Sequence, residues 1–379
     1  HHTATQISKS PEASIHHNFG LLMKTMTQKN IFFDIPDVCQ IDILTQWVTF
    51  SNFGRFNSAV CNKSYRSELQ KILKLKECVF DYLLWAKVYN CPKEWNVKNN
   101  VKLNGVSLSG ADLVEPKRRS AILSCNGPRL PLVRIDLVIN KSKIASSSEL
   151  SFDLSAVFSD LSSQCPNVRH LEVSQCSWYE CLQPTDDFKC LRNYITTSAR
   201  LESVLLEAFQ NVSGDYIEAL CAAPVLGKVK FRNCTFAAFD PTGELLRSAS
   251  VHTLIADHAR LCVHFPNLTE LRLKHITVAD IDTIPGLCPL LRAVTLQTLH
   301  GAGSISNLAT DAMCSNWHDI RTLKFNCDVT EQQVLALIRR CTSLTYLSNT
   351  FCNSASRNDA NPPVIGNGSQ LRTLIAPCA

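Results

Sequence analysis

The chain carries, at positions 165 to 176, the segment Cys165-Pro166-Asn167-Val168-Arg169-His170-Leu171-Glu172-Val173-Ser174-Gln175-Cys176. Its apolar residues follow the frame apolar-x-x-apolar-x-apolar, in which Leu171 and Val173 lie on the same face of a short strand. One such strand cannot bury its apolar face alone, whereas a stack of repeated strands can. The segment therefore predicts one unit of a repeat protein.

The same frame recurs along the C-terminal two thirds of the chain. Further copies begin at Leu132, Leu201, Leu226, Val251, Leu268, Leu291, Ile320, Leu344 and Leu371. From position 201 onward the steps between copies are 25, 25, 17, 23, 29, 24 and 27 residues, and most fall in the range of leucine-rich repeats. The short step after Val251 leaves two alternatives: one copy has lost its helix, or 251–256 is not a stacked strand.

Between the strands, helical periodicity indicates how the chain returns. In the segment Val329–Cys341, Thr330 and Gln333 have the spacing of a capping box. The apolar residues that follow have helical spacing and are Val334, Leu337, Ile338 and Cys341. Similar helices are predicted over Ser151–Cys165 and Gly214–Cys221, which favours alternating strands and helices.

The N-terminal part has a different organisation. Residues 1–30 are polar and without periodicity, which predicts a disordered tail. Residues 31–75 predict three short helices, over 35–48, 52–60 and 64–73, and the first has Val38, Ile41, Leu44 and Val48 on one stripe. Residues 76–125 are interpreted as a linker or an N-terminal cap, with Glu115 to Arg119 as an exposed loop.

Composition limits the class of protein. A chain of 379 residues exceeds the size of one small core, so we expect two domains or an elongated array of repeats. We find no run of about 18 apolar residues and no secretory signal, and we therefore expect a cytoplasmic or nuclear protein. The net charge is +6 over residues 1–125 and −1 over residues 126–379, together the +5 of the chain. The basic residues are too scattered to predict nucleic-acid or membrane binding.

Motifs for catalysis and metal binding are absent from the sequence. It contains no G-x-S-x-G, P-loop, H-E-x-x-H or G-x-G-x-x-G motif, so we predict no enzyme, no catalytic residue and no cofactor. The 18 cysteines include no C-x-x-C pair and no zinc-ligand quartet, and we predict no metal site. Extracellular recognition stays open as an alternative. It requires a signal peptide before His1 and cysteine-capped ends.

The repeats resemble the cysteine-containing leucine-rich-repeat family, whose units read C-P-x-L-x-x-L-x-L-x-x-C. Cys165-Pro166 and Cys288-Pro289 match the opening of that unit, Cys234 matches its strand end, and Val329-Thr330 its helix start. The resemblance covers residues 126–379. It implies an α/β solenoid with a curved parallel sheet and outer helices, in which cysteines serve as small buried residues.

Residues 31–75 resemble an F-box. The pattern is carried by Ile35-Pro36-Asp37, Ile43-Leu44, Trp47-Val48 and Ala59–Arg66. The resemblance implies that a Skp-family adaptor is bound by Ile35, Pro36, Ile43, Leu44, Trp47, Phe53, Phe56 and Val60. An F-box before leucine-rich repeats implies a substrate receptor of an SCF-type ubiquitin ligase, built on a cullin scaffold. The alternative is a leucine-rich-repeat scaffold whose N-terminal helices only cap the first repeat.

In a leucine-rich-repeat solenoid, side chains that alternate with the buried ones face the concave surface. The residues predicted to bind a protein substrate there are His170, Glu172, Lys228, Lys230, Arg232, Glu270, Arg272, Lys274 and Lys324. The middle of this set is basic, which favours an acidic or phosphorylated substrate segment.

Overall fold

The computed structural model describes part of the chain. The described residues are 31–47, 63–75, 78–80, 97, 101–127, 130–137, 153–175, 188–237, 247–299, 307–325, 330–349 and 373–375. The predicted tail at residues 1–30 and the predicted helix at 52–60 lie outside them, as do Phe53, Phe56 and Val60.

Helices and strands alternate after residue 100. The helices are α1 (Ile31–Asp34), α2 (Asp37–Asp42), α3 (Lys63–Lys74), α4 (Ala111–Val114), α5 (Pro116–Asn126), α6 (Leu154–Gln164), α7 (Lys189–Thr197), α8 (Gly214–Ala222), α9 (Val278–Leu287), α10 (Asn307–Asn316) and α11 (Glu331–Arg340). The strands are β1 (Val79–Phe80), β2 (Lys102–Leu103), β3 (Gly105–Ser109), β4 (Leu132–Leu137), β5 (His170–Gln175), β6 (Ser203–Glu207), β7 (Lys228–Arg232), β8 (Thr253–Ala256), β9 (Glu270–Ile276), β10 (Ala293–Leu299), β11 (Thr322–Phe325), β12 (Tyr346–Asn349) and β13 (Thr373–Ile375).

The chain divides into two compact units. The first comprises His1–Ser107, Glu115–Val133 and Ser163–Asn167. The second comprises Leu108–Val114, Arg134–Ser162 and Val168–Ala379. The domain boundaries predicted near residues 30, 75 and 125 stay predictions.

The first unit has its own apolar core around α3. The buried members of this core are Phe32, Leu44, Leu69, Ile72, Leu73, Cys78, Phe80 and Val101. The ring of Phe33 stacks on that of Tyr65 with centroids 5.0 Å apart. Burial of the apolar stripe of α3 confirms the helix predicted over 64–73.

The predicted stripe on the first helix is only partly correct. Leu44 is fully buried, but Val38 is 69% exposed. Helix α2 ends at Asp42, and the chain continues as a π-helical turn over Ile43–Trp47. The wider turn changes the direction in which successive side chains point, so a stripe drawn with a constant helical period does not hold.

The prediction of an exposed loop at Glu115 to Arg119 is wrong. Glu115 is the N-cap of α5, and Pro116 occupies the first turn, where a missing N–H costs nothing. Ile122 and Leu123 bury the inner face of this helix. Arg119 is also buried, which shows that the basic run continues onto the packed side of a helix.

An eleven-stranded sheet runs through the C-terminal part, with β3 to β13 in chain order. The pairings described between β5 and β13 are all parallel. Their register aligns the same position of the sequence frame in each strand. This aligned buried column consists of Leu171, Val204, Val229, Leu254, Leu271, Val294, Leu323 and Leu347. The strand pattern predicted from residues 165–176 is thereby confirmed.

A hydrogen-bond pattern repeats just before the strands. The carbonyl of Gly227 accepts the N–H groups of both His252 and Thr253, at 2.9 and 3.0 Å. The carbonyls that accept two N–H groups from the next strand–helix unit in this way are those of Arg169, Glu202, Gly227, His252, Thr269, Arg292 and Arg321. The pattern keeps successive units in register even where their lengths differ.

The chain returns between strands mainly through helices. The capping box predicted at Thr330 and Gln333 is present: Thr330 Oγ1 accepts the Gln333 N–H, and Gln333 Oε1 accepts the Thr330 N–H. Thr277 and Asp280 form another at α9. After β8 a short 3-10 helix, Ala259–His264, replaces the α-helix. Of the two alternatives for the 17-residue step after Val251, the shortened helix is therefore correct, because β8 is stacked between β7 and β9.

Candidate protein-interaction surfaces

One face of the sheet carries the predicted substrate-binding residues. His170, Glu172, Lys228, Lys230, Arg232, Glu270, Arg272, Lys274 and Lys324 all lie on strands, and all are exposed or half-buried. They alternate with the buried column, which places them on the opposite face of the sheet. We call the side chains of β4 to β12 on this face the charged face. These residues thus share one face of the strands, whereas the concave shape of that face and its role in binding stay predictions.

Ion pairs of Arg134 and Glu207 connect four strands of the charged face, β4 to β7. The Arg134 guanidinium lies 2.8 Å from Asp136, 3.9 Å from Glu172 and 4.0 Å from Glu207. Glu207 also pairs with Arg232 at 3.3 Å. Sequence reasoning did not select Arg134 or Glu207 as surface residues. The signal was available, since each stands next to a buried position in its copy of the frame.

Further along the sheet, Arg272 is also paired within the chain. Its guanidinium lies 2.7 Å from a carboxylate oxygen of Glu270, two residues earlier on the same strand. Lys324 instead places its ammonium 4.9 Å from the ring centroid of Tyr346, at the distance of a cation–π interaction. Strands β4 to β6 thus carry one cation, Arg134, among three carboxylates, while β7 to β9 carry five cations and the single carboxylate of Glu270.

Lys230 lies at the centre of this basic region. It is in register with Leu205 on one neighbouring strand and with Ile255 on the other. Partial burial lowers the pKa of Lys230, and the nearby charges of Lys228, Arg232 and Arg272 lower it further, while Glu172 acts in the opposite direction. Burial is the largest cause of this shift, and the three neighbouring cations add to it.

The predicted adaptor-binding residues fall into three groups. Leu44 is fully buried in the core of the first unit, and its side chain therefore contributes to packing. Ile35 and Ile43 are half-buried, and Pro36 is exposed. Trp47 lies in the π-helical turn, with its side chain outside the described part of the structure. Phe53, Phe56 and Val60 lie outside it altogether, so contact with an adaptor stays a prediction for all of these residues.

The buried cysteines have the character of packing residues. Burial raises the pKa of the Cys165 and Cys234 thiols to about 11, which keeps them protonated and weakly nucleophilic at neutral pH. The Cys234 thiol donates to the carbonyl of Leu206 at 3.3 Å. Within the described ranges, no cluster of His, Cys, Asp and Glu has the arrangement of a metal site. None of the described helices has the length and hydropathy needed to cross a membrane.

Comparisons with family models and with curated proteins do not assign the chain to a family. No family model matches its sequence, and a search of curated proteins finds no match.

Proposed function

We propose that the protein is a non-catalytic receptor, with a leucine-rich-repeat solenoid that binds a protein substrate and an F-box-like module that binds a Skp-family adaptor. In this proposal it serves an SCF-type, cullin-based ubiquitin ligase. Holding the substrate near a ubiquitin-charged enzyme raises their effective concentration, and the receptor itself performs no chemistry.

The observation that carries the proposal is the aligned stack of β5 to β13. Strands β5, β7 and β9 bury one face and leave charged or polar side chains on the other, while β6 and β8 contribute the apolar Leu205 and Ile255 to that second face. Stacked short strands of this type provide an extended surface that is suited to protein recognition. The charged residues on it are held at the regular spacing of about 4.8 Å between neighbouring strands.

Support for the adaptor interaction comes from the sequence pattern and from an apolar group near α2. Ile35 and Ile43 retain partial exposure, and Pro36 and Val38 are exposed beside them in the sequence. Ile43 is also packed against the core of the first unit, so the apolar residues that remain for an adaptor here are Ile35, Pro36 and Val38. Pro36 also stands at the N-cap of α2, where its ring has no role in capping by side-chain hydrogen bonds.

Binding to a purified Skp-family adaptor tests the proposal. The full chain should retain the adaptor in a pull-down, and the double variant Ile35→Ser and Pro36→Ser should bind about tenfold more weakly or less. Serine is a favoured N-cap residue, so the start of α2 should survive the change. Leu308→Asp is the matched control, because Leu308 is 75% exposed on α10, outside the F-box-like module. Failure of the unmodified chain to bind the adaptor would contradict the proposal.

One observation favours the alternative, a leucine-rich-repeat scaffold with a helical cap. Most large apolar side chains described in residues 31–75 either lie in the buried core of the first unit, as do Phe32, Leu69 and Ile72, or are partly buried against it. A cap needs this internal packing and no further partner. The scaffold alternative predicts that the chain binds a protein partner through the charged face and does not bind the adaptor.

A further inference from the structure

Three lysines on β7 and β9 differ from the arginines beside them. Arg232 is paired with Glu207 at 3.3 Å and Arg272 with Glu270 at 2.7 Å. Lys228, Lys230 and Lys274 make no ion pair with any residue in the described part of the chain. The charges that remain for a partner on these strands are therefore ammonium groups.

These lysines are spread over the surface instead of converging on one point. Lys228 and Lys230 stand two residues apart on one strand, a spacing of about 7 Å. Lys274 lies on β9, two strands away from β7, a separation of about 10 Å. Thr253 and Ile255 of β8 are in register with Lys228 and Lys230 on one side and with Glu270 and Arg272 on the other, so Lys274 lies two residues further along β9. A partner that satisfies all three lysines must carry several separate anionic groups.

The arrangement favours carboxylates over a single phosphate. Phosphate is bound best by convergent donors, in particular by the fork of an arginine guanidinium. Both arginines of this region already hold carboxylates of the chain itself. Lysine acts as a point charge that suits carboxylates placed one by one along an extended segment.

A nucleic acid fits this region less well. Single-stranded nucleic acids are bound by basic grooves in which aromatic side chains stack on the bases. The described side chains on this face of β7, β8 and β9 include no aromatic residue.

We propose that Lys228, Lys230 and Lys274 form a docking site for an extended, Asp- and Glu-rich segment of a protein partner. An aliphatic side chain of that segment contacts the half-buried Ile255 between β7 and β9. The site rests on the proposed function, because it specifies the chemical class of substrate that the charged face receives. Binding places anions beside Lys230 and thereby relieves the mutual repulsion of the cations.

Fluorescence anisotropy with labelled peptides tests this site on the full chain. The first peptide alternates Asp or Glu with Leu, and its matched control replaces each acidic residue by Asn or Gln. Two further probes are the control peptide with one phosphoserine and a single-stranded oligothymidylate. We expect the acidic peptide to bind most tightly and to bind more weakly as the salt concentration rises.

The triple variant Lys228→Gln, Lys230→Gln and Lys274→Gln should bind the acidic peptide about tenfold more weakly. Lys189→Gln, at an exposed lysine on α7, should bind it as the unmodified chain does. Equal binding by the triple variant overturns the proposal, as does tighter binding of the phosphopeptide or of the oligothymidylate. Unchanged unfolding midpoints show that the variants are folded. A pull-down of the adaptor by the triple variant distinguishes the two proposals. If the adaptor is retained but the acidic peptide is not bound by the unmodified chain, this site fails while the proposed function stands.

Discussion

The imidazole ring of His252 occupies the space that a Cβ atom on Gly227 would need. A Cβ built on this glycine would lie 2.9 Å from the ring Nδ1 of His252. The two residues are also joined through the backbone, since the His252 N–H donates to the Gly227 carbonyl at 2.9 Å. An alanine at this position would therefore require the exposed His252 ring to move.

The variant Gly227→Ala should reduce the free energy of unfolding by no more than about 1 kcal/mol, because the added methyl group overlaps the imidazole but the exposed His252 side chain can rotate away. His252→Ala removes the obstacle, so the same glycine substitution should cost less in that background. Urea unfolding of both single variants and the double variant measures the coupling. Equal costs in the two backgrounds would show that the ring does not restrict Gly227.

Thr330→Ala should destabilise the second unit by about 1 kcal/mol, because it removes one half of the capping box of α11. Ser213 provides a matched control. It occupies the N-cap of α8 but makes no side-chain capping hydrogen bond, so Ser213→Ala should have little effect. Unfolding midpoints in urea compare the two variants, and an equal loss at both positions would contradict the role assigned to Thr330.

Leu44→Ala should reduce the free energy of unfolding of the first unit by about 2 to 5 kcal/mol, since it opens a cavity in a buried core. Val38→Ala, six residues earlier at an exposed position, should change it by no more than about 0.5 kcal/mol. Chemical unfolding followed by a probe in residues 31–75 distinguishes them. A small effect at Leu44 would show that its side chain is available to a partner instead.

Alkaline pH should weaken the fold through the buried thiol of Cys234. Burial raises the pKa of this thiol from 9.0 to about 11. Between these values the unfolded chain releases the proton while the folded chain retains it, so the free energy of unfolding decreases as the pH rises. Its stabilising contribution is complete below about pH 9 and is lost towards pH 11, at up to about 1.4 kcal/mol per pH unit.

Urea unfolding at a series of pH values measures this dependence. The variant Cys234→Ala should show a shallower decrease above pH 9 than the unmodified chain, because it lacks the titrating group. The comparison uses only the slopes, since the smaller side chain also lowers the stability at every pH. Parallel curves for the two proteins would exclude Cys234 as a source of the pH dependence.

The strands could be predicted from the sequence because their pattern has a period of two residues. Val229 and Phe231 alternate with Lys228 and Lys230, and a strand with one buried face admits only one register for such a pattern. The helix after β11 was also predictable, since a capping box and an apolar stripe agree there. Local chemistry and packing point to the same structure in both cases.

Other features depend on contacts that the local pattern does not contain. Glu115 to Arg119 are charged or polar around a proline and suggest a loop, but the apolar face of α5 comes only after them. Val38 fits a helical stripe until the π-helical turn after Asp42 changes the direction of the side chains. The pairing of Arg134 with Glu207 requires the order and register of β4, β5 and β6, which emerge only from the assembled sheet.

Calorimetric titration of the full chain with a purified Skp-family adaptor tests the proposed receptor function most directly. The proposal predicts saturable binding at one adaptor per chain, with the same affinity when the acidic peptide occupies the charged face. Absence of any binding heat across a range of temperatures, for a chain that is shown to be folded, would contradict it.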